Sequence, residues 1–319
     1  CQGLDYCGSI FVNGVFVNQF SGSHVPHIFD ISTFLAEKDN HIRIVFELAP
    51  RWLGQFGFTS KITSWKTRFH YTWDWVVRLV QAGIWDSISL EAHDDHEICD
   101  FRCVTDADSR RSVGSVKISG RIPNPTGLKV KAVLLLNGRD IEYSAMTASE
   151  FNAVGLVWRE LPIQLWWPNM MGDRPLYTLI CILMDADGNE LDRVERKVGF
   201  REIRWEKCEG AVPEADPWIC VVNGQPMLLQ GVDWTPILPN YADIQDEEYE
   251  KRIKLYADLG LNIFRVWGGD TWKKRCSTIS AMRMGSLFGK NFHYLRREWI
   301  ISLLLMKKRL KIWTKLHDR

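Results

Sequence analysis

The sequence of 319 residues lacks any apolar run long enough to cross a lipid bilayer, and it has no secretory signal peptide at its start. A helical span needs about 20 consecutive apolar residues, so we expect no membrane span. The chain begins at Cys1 rather than Met, inside what reads as a strand pattern. We therefore expect a truncated N-terminus, and the compartment stays open between cytoplasmic and lysosomal or extracytoplasmic.

The eight cysteines include no CxxC pair, and no histidines stand at zinc-finger spacing. In a chain of this length we expect free, buried thiols rather than a disulfide framework. We also expect no metal and no cofactor.

Charge is distributed unevenly along the chain. Residues 271–319 carry 13 Lys and Arg against two Asp and Glu, a net charge of +11, whereas residues 1–270 carry 27 against 37, a net charge of −10. A basic segment is typical of a nucleic-acid-binding tail, and residues 299–313 resemble an interfacial helix. The acidic remainder opposes both interpretations, so we expect neither nucleic acid nor a membrane as partner.

Residues 1–92 have the pattern of an all-β unit. Asn13-Gly14 between two apolar runs predicts a type I′ hairpin. Further strands are expected at residues 27–31, 41–48 and 85–91. The loop from Phe69 to Trp75 is too rich in rings for a plain surface turn, and we expect His70 within it to be solvated.

Residues 93–200 repeat short strand patterns, separated by turn signals such as Asn137-Gly138 and Asp187-Gly188. We expect strands at about 114–122, 128–136, 155–161 and 176–184. Regular short strands over ~100 residues predict an immunoglobulin-like β-sandwich.

The pattern changes after residue 201. A hairpin at Asn223-Gly224 leads into a buried strand, residues 246–259 have helical spacing with a stop at Gly260, and residues 262–267 form an apolar strand. Strand, helix and strand in this order predict the start of a βα repeat with a parallel sheet.

Five motifs follow one another over residues 1 to about 270: Gly3-Leu4-Asp5 with Phe11-Val12-Asn13-Gly14, Trp73-Asp74-Trp75 ahead of Gly83-Ile84-Trp85, Leu165-Trp166-Trp167-Pro168 with Pro175-Leu176-Tyr177, Val198-Gly199-Phe200-Arg201, and Asn262-Ile263-Phe264-Arg265-Val266-Trp267-Gly268-Gly269. Together and in this order they resemble glycoside hydrolase family 2, and the second and fifth resemble its β-mannosidase branch.

The resemblance implies a multidomain, mainly β chain. It places a jelly-roll, galactose-binding-like domain at 1–92, an immunoglobulin-like β-sandwich at 93–200, and the start of a (β/α)8 TIM barrel at 201–270. Members are retaining exo-glycosidases that use two Glu residues about 5 Å apart, one as general acid/base and one as nucleophile. The family carries both on later barrel strands, so no catalytic residue is assigned here.

The implied function is that of an inactive fragment of a β-mannosidase-type enzyme, which removes terminal β-linked mannose from oligosaccharides. Other family 2 specificities remain open, namely β-galactosidase, β-glucuronidase and glucosaminidase. Two further alternatives are a non-catalytic carbohydrate-binding module and a purely structural pair of β-sandwiches.

Matching positions imply part of a sugar-binding pocket. Asp74, flanked by Trp73 and Trp75, would accept hydrogen bonds from sugar hydroxyls, or alternatively cap its own loop. Arg265 would orient a carboxylate and Trp267 would form the floor of the sugar subsite, or alternatively both would pack at the strand end.

Two further residues complete the predicted set of substrate-binding side chains. Asn262 opens the last strand, a position that also favours a structural role. Trp234 matches an Asn-Trp-x-Pro motif, but Asp233 stands where Asn is usual.

The resemblance is lost after Asp270, where strand alternation and turn chemistry both disappear. The residues after Asp270 can be back-translated with permitted synonymous codons and then read in a shifted frame, in which each new codon starts at the third base of the previous one. This shifted frame can encode LEKEMFYDLCDENGILVWQEFPL, which contains the helix and the Trp-Gln-Glu strand that the family should have next. We therefore expect the coding frame to be lost near Asp270-Thr271, and residues 271–319 to be an out-of-frame tail.

Overall fold

A computed structural model of the chain describes residues 1–49, 66–92, 96–267 and 275–290. Antiparallel sheets dominate these residues, and one parallel sheet follows them in the chain. Three features of the sequence lie outside the described residues: the glycine pair at 268–269, the junction at 270–271 and the amphipathic run at 299–313.

The first unit contains two small sheets. Its strands are β1 Leu4–Asp5, β2 Cys7–Val12, β3 Val15–Ser21, β4 Ile42–Phe46 and β5 Gly83–Ile84. Strand β2 lies between β3 and β4, and β1 pairs with β5. Asn13 and Gly14 both have left-handed φ, at 51° and 81°, which confirms the predicted hairpin, and β4 confirms the strand expected at 41–48.

Two predicted strands of this unit are wrong. Near residues 27–31 the ring of His27 packs 5.7 Å from Phe20, and the backbone joins no sheet. At residues 85–91 no strand follows β5, although backbone hydrogen bonds still join Trp85 to Gly3 and Ser87 to Gln2. The alternation there came from Ile88 and Leu90, which are 45% and 70% exposed.

The second unit is a two-sheet β-sandwich. It consists of β6 Cys99–Asp108, β7 Val113–Arg121, β8 Lys129–Leu136, β9 Arg139–Thr147, α1 Ala148–Val154, β10 Leu156–Pro162, β11 Tyr177–Met184 and β12 Glu190–Val198. One sheet has the order β10-β7-β6 and the other β12-β11-β8-β9. Fully buried side chains from both sheets, such as Val116 and Leu134, share one core.

All four strands predicted for this unit are confirmed, as β7, β8, β10 and β11. Strands β9 and β12 were missed because each exposes a charged face, with sequences RDIEYSAMT and ELDRVERKV. Their apolar positions are few, and pairing with the buried strands β8 and β11 defines them.

The third unit joins an antiparallel hairpin to a parallel sheet. Strands β13 Ile203–Glu206, β14 Ile219–Val222 and β15 Gln225–Met227 precede β16 Gly231–Trp234, α2 Asp246–Asp258, β17 Ile263–Val266, α3 Arg275–Met284 and β18 Leu287–Lys290. The last three strands form a parallel sheet with β17 in the middle. This confirms the predicted strand–helix–strand repeat.

Residues 275–290 add a second helix and a third strand to that repeat. Gly285 has φ of +77° between α3 and β18, and Leu287 is buried. The interpretation that turn chemistry disappears after residue 270 is therefore wrong at this position, because a left-handed glycine ends the helix there. That residues 271–319 are out of frame stays a prediction.

The Leu165-Trp166-Trp167-Pro168-Asn169 motif connects the sandwich to the parallel sheet. Asn169 donates from Nδ2 to the Ala257 carbonyl near the end of α2 at 2.7 Å, and its backbone N–H donates to the Gly285 carbonyl at 2.8 Å. The indole of Trp166 donates to the Met282 carbonyl at 2.8 Å. Carbonyls near the ends of both helices thus accept hydrogen bonds from the second unit, and the Ala257 carbonyl does so in addition to its bond from the Gly260 N–H.

Tyr241 joins the first unit to the parallel sheet. Its hydroxyl lies 3.1 Å from the hydroxyl of Thr67. Its ring stacks on His70 at 5.4 Å and meets Trp85 edge-on at 5.2 Å. His70 is 1% exposed and its Nε2–H donates to the Pro239 carbonyl at 3.1 Å. The prediction that His70 is solvated is wrong, because its ring fills the interface between the two units.

A buried ion pair lies behind this contact. Lys66 Nζ is 2.5 Å from an oxygen of Asp5, and it also donates to the Gln81 carbonyl at 2.6 Å. Ser23 donates to the second oxygen of Asp5 at 2.5 Å. His24 Nε2 lies 3.1 Å from the Thr67 hydroxyl. A buried charge is tolerated only when it is paired and hydrogen-bonded, and these partners satisfy that condition.

Both histidines of the interface are neutral at pH 7. Burial, and after it the nearby Lys66, lower the pKa of His70 to about 4 against the opposing effect of Asp5. Burial likewise lowers the pKa of His24 to about 4, with Asp5 acting in the opposite direction. Protonation of either ring would place a cation beside the Lys66 ammonium.

We expect the free energy of unfolding to fall as the pH is lowered from about 6.5 to about 4. The unfolded histidines, with a pKa near 6.5, take up protons before the folded ones do. The stabilisation is therefore complete above this window and is lost within it, at about 1.4 kcal/mol per pH unit for each histidine. Urea unfolding curves measured across this range check the slope.

His70→Gln supplies the matched test of that slope. Glutamine keeps a donor for the Pro239 carbonyl but does not titrate, so the pH dependence should become shallower by one proton. His41→Gln, at an exposed position, is the control and should leave the slope unchanged. Identical slopes for His70→Gln and the unsubstituted chain would contradict the assignment.

Candidate functional site

Strand β17 sorts its side chains to two faces. Phe264 and Val266 are buried, with Phe264 in the same cluster as residues of both helices, whereas Arg265 and the adjoining Trp267 are partly exposed on the other face. Successive side chains of a strand point to opposite sides, so the burial of one set leaves the other set open. The open face at the end of β17 is the candidate site.

A tight turn from the first unit lies over the end of β17. The backbone N–H of Trp73 donates to the Val76 carbonyl at 3.1 Å, and the N–H of Val76 donates back at 3.4 Å. Val76 is buried and anchors the turn, while Asp74 and Trp75 occupy its exposed tip. The turn therefore presents a carboxylate between two indoles, as the sequence predicts.

Three tryptophans meet where the turn faces the strand, and we name Trp73, Trp75 and Trp267 the aromatic wall. The ring of Trp267 lies 5.6 Å from that of Trp73 and 6.3 Å from that of Trp75. Phe69 supports them from beneath, 5.5 Å from Trp75 and 6.0 Å from Trp267. Trp73 and Trp75 remain 37% and 36% exposed, so their rings are available to a ligand.

Buried groups hold the turn from behind. Phe69 and Tyr71 are almost fully buried, and the N–H of Leu79 donates to the His70 carbonyl at 2.9 Å. Burial raises the pKa of Tyr71 to about 12, so its phenol stays neutral at pH 7. The turn is thus fixed by packing of its neutral, buried side.

Arg265 has a carboxylate partner within the sheet itself. Its Nη1 donates to Asp233 Oδ1 at 2.7 Å, and the two side chains are 32% and 51% exposed. Asp233 and Arg265 are register partners on the neighbouring strands β16 and β17. The sequence singles out Asp233 only as a departure from the usual Asn, and its pairing with Arg265 was missed.

Two of the predicted binding residues have side chains that face away from the aromatic wall, although the Trp234 carbonyl accepts from the Trp267 N–H at 3.0 Å. Asn262 is buried and serves the backbone, accepting from the Gln230 N–H at 3.0 Å and donating to the Leu228 carbonyl at 3.0 Å. Trp234 is buried on the helix side, where its ring meets Phe264 edge-on at 4.9 Å. Both stabilise the sheet, so we leave them out of the candidate site.

The site therefore brings together five predicted residues and two that were not predicted. The predicted ones are Trp73, Asp74, Trp75, Arg265 and Trp267. The others are Asp233, which follows from strand register, and Phe69, which the richness of its loop in rings could have indicated.

Neither a metal centre nor a membrane helix is found within the described ranges. In that part of the chain no three His, Cys, Asp or Glu side chains are grouped so that they could hold a metal ion. No helix there combines the length and apolar character that a bilayer crossing needs.

The chain matches two family models. Residues 1–86 match the galactose-binding domain-like model of glycosyl hydrolase family 2, and residues 90–201 match the model of glycosyl hydrolases family 2. β-Mannosidase B of Aspergillus terreus is 24% identical over 301 residues, which cover 88% of this chain and 35% of that protein. The chain thus spans about a third of the length of the curated relatives it matches.

Solved structures share the fold at lower identity. The crystal structure of β-D-mannosidase from Dictyoglomus thermophilum superposes with a TM-score of 0.75 at 20% identity, covering 91% of this chain and 37% of that one. An FMN-binding β-glucuronidase from Faecalibacterium prausnitzii gives 0.68 at 14%, covering 90% and 41%. Because the two family models together match more than half of its residues, the chain belongs to glycoside hydrolase family 2.

Proposed function

We propose that this chain forms one wall of the glycone pocket of a retaining exo-β-mannosidase. The observation that carries the proposal is the contact of Trp73 and Trp75, which flank the exposed Asp74 in the turn, with Trp267 at the end of β17. A pyranose presents apolar C–H faces that pack on indole rings, and its hydroxyls donate to a carboxylate. The match to β-mannosidase B over 88% of the chain supports the choice of mannose.

We infer further that the parallel sheet begins a (β/α)8 barrel. Strands β16, β17 and β18 are parallel and are connected through α2 and α3, as in the βα repeats of that fold. In such barrels ligands bind at the carboxyl ends of the strands, which is where Trp267 follows β17. From the family matches to the first two units we also propose that the sandwich is immunoglobulin-like and that the first unit is a jelly roll.

The wall can bind and orient a sugar. Asp74 would accept hydrogen bonds from two sugar hydroxyl groups, and Trp267 would lie under the sugar ring. Trp73 and Trp75 would exclude water from one side of it. Hydrolysis with retention needs two carboxyl groups about 5 Å apart, one attacking the anomeric carbon and one protonating the leaving oxygen. Family resemblance places both on later barrel strands, so we propose that this chain binds its sugar without cleaving it.

The alternatives differ in what they require of the site. Another family 2 specificity would use the same wall with different contacts deeper in the pocket. The fold that the chain shares with a β-glucuronidase is compatible with that alternative. A carbohydrate-binding module built from the first unit alone would not need Trp267. A purely structural role would leave the wall without a ligand.

We expect the chain to bind methyl β-D-mannopyranoside with a change in tryptophan fluorescence. Asp74→Ala should weaken binding about tenfold or more, because a charge-assisted hydrogen bond contributes roughly 1.5–3 kcal/mol. Trp267→Ala should weaken it as well. Asp140→Ala, at an exposed position of the sandwich, is the control and should bind normally.

Each outcome of that titration points to one function. Loss of binding in Asp74→Ala but not in Trp267→Ala would favour a module confined to the first unit. No binding by the unsubstituted chain would contradict the proposed pocket and favour a structural role.

We also expect no hydrolysis of p-nitrophenyl β-D-mannopyranoside by the purified chain above a protein-free blank. The reason is that neither carboxylate of the site is proposed as acid/base or nucleophile: Asp74 would bind hydroxyls, and Asp233 is paired with Arg265. Release of nitrophenol that depends on chain concentration, and that survives repurification, would contradict this expectation.

A further inference from the structure

We propose that Asp233 is a specificity-determining residue that neutralises Arg265 and so disfavours sugars carrying a carboxylate. The inference rests on the proposed sugar pocket and adds a charge preference to it. What motivates it is the 2.7 Å bond between the Arg265 guanidinium and the Asp233 carboxylate on the open face of the sheet.

Strand register makes this pairing a built-in feature of the sheet. Asp233 and Arg265 stand opposite each other on the parallel strands β16 and β17. Each is followed by a residue on the helix side, since Trp234 and Val266 are buried. The two charged side chains therefore project from the same open face, and Arg265 lies two residues before Trp267 in the chain.

An unpaired arginine at this place would attract an anionic sugar. The guanidinium group binds carboxylates through two parallel hydrogen bonds, and a uronic acid supplies such a group at C5. With Asp233 bound to Arg265, the pair has no net charge and one guanidinium N–H is already donated to a carboxylate. Asp74 adds a further negative charge at the turn, so a uronate would meet two carboxylates and one guanidinium, whereas a neutral hexose loses nothing.

The size of the effect follows from exposure. Both partners of the pair are partly accessible to water, so solvent screens their interaction. We expect a change of about fivefold in relative affinity rather than an absolute switch, and a smaller change at high salt.

Asp233→Asn tests the proposal, because asparagine keeps the size and a hydrogen-bonding oxygen but removes the charge. The probes are methyl β-D-mannopyranoside and methyl β-D-glucuronide, titrated against the full chain by tryptophan fluorescence. The ratio of glucuronide to mannoside affinity should rise about fivefold in Asp233→Asn. The double variant Asp233→Asn/Arg265→Gln should lose that gain, since no guanidinium remains to bind the carboxylate.

Two results would overturn the proposal. One is a glucuronide affinity that Asp233→Asn leaves unchanged while its urea unfolding midpoint shows a folded chain. The other is a gain in glucuronide affinity that persists in the double variant. Failure of the proposed pocket gives a different result, namely no mannoside binding by the unsubstituted chain. In that case the glucuronide affinities of Asp233→Asn and the unsubstituted chain are compared directly, and equal affinities again overturn the proposal.

Discussion

The structure depends on one aromatic contact between units that are far apart in sequence. Tyr241 stacks on His70, meets Trp85 edge-on and shares a hydroxyl contact with Thr67. These rings close the interface above the buried Asp5–Lys66 pair. The turn that carries Asp74 begins just after His70. The contact between Tyr241 and His70 therefore also positions this turn relative to the parallel sheet.

A second constraint comes from alternation along two neighbouring strands. Burial of Trp234 and Phe264 in the cluster that holds residues of both helices leaves Arg265 and Trp267 partly exposed. Register then sets Asp233 beside Arg265. The site is therefore a consequence of packing: the core decides which side chains remain to meet a ligand, and the turn from the first unit adds Asp74 and two indoles to them.

The elements that depend on short stretches of sequence could be predicted from the sequence. The Asn13-Gly14 hairpin, the apolar strands β7, β8, β10 and β11, and the strand–helix–strand repeat all follow from short patterns. Family resemblance indicated seven substrate-binding residues, of which five remain in the candidate site. Long-range contacts decided the rest. The sequence predicted a solvated His70, but Tyr241 covers its ring. Residues 27–31 alternate without forming a strand, although His27 exchanges backbone hydrogen bonds with Cys1. Trp234 faces the helices because β16 pairs in one register with β17. The pairing of Asp233 with Arg265 depends on that register and not on either residue's neighbours in the chain.

Amide hydrogen exchange tests the central claim, that Tyr241 holds the sugar-facing turn on the sheet. The relevant amides belong to Thr72, Val76 and Leu79, which donate within the loop. Tyr241→Ala should accelerate their exchange while amides of the sandwich strands β8 and β11 keep their protection, and Tyr241→Phe, which keeps the ring, should have a smaller effect. Unchanged exchange at all three amides in a folded Tyr241→Ala chain would contradict the account.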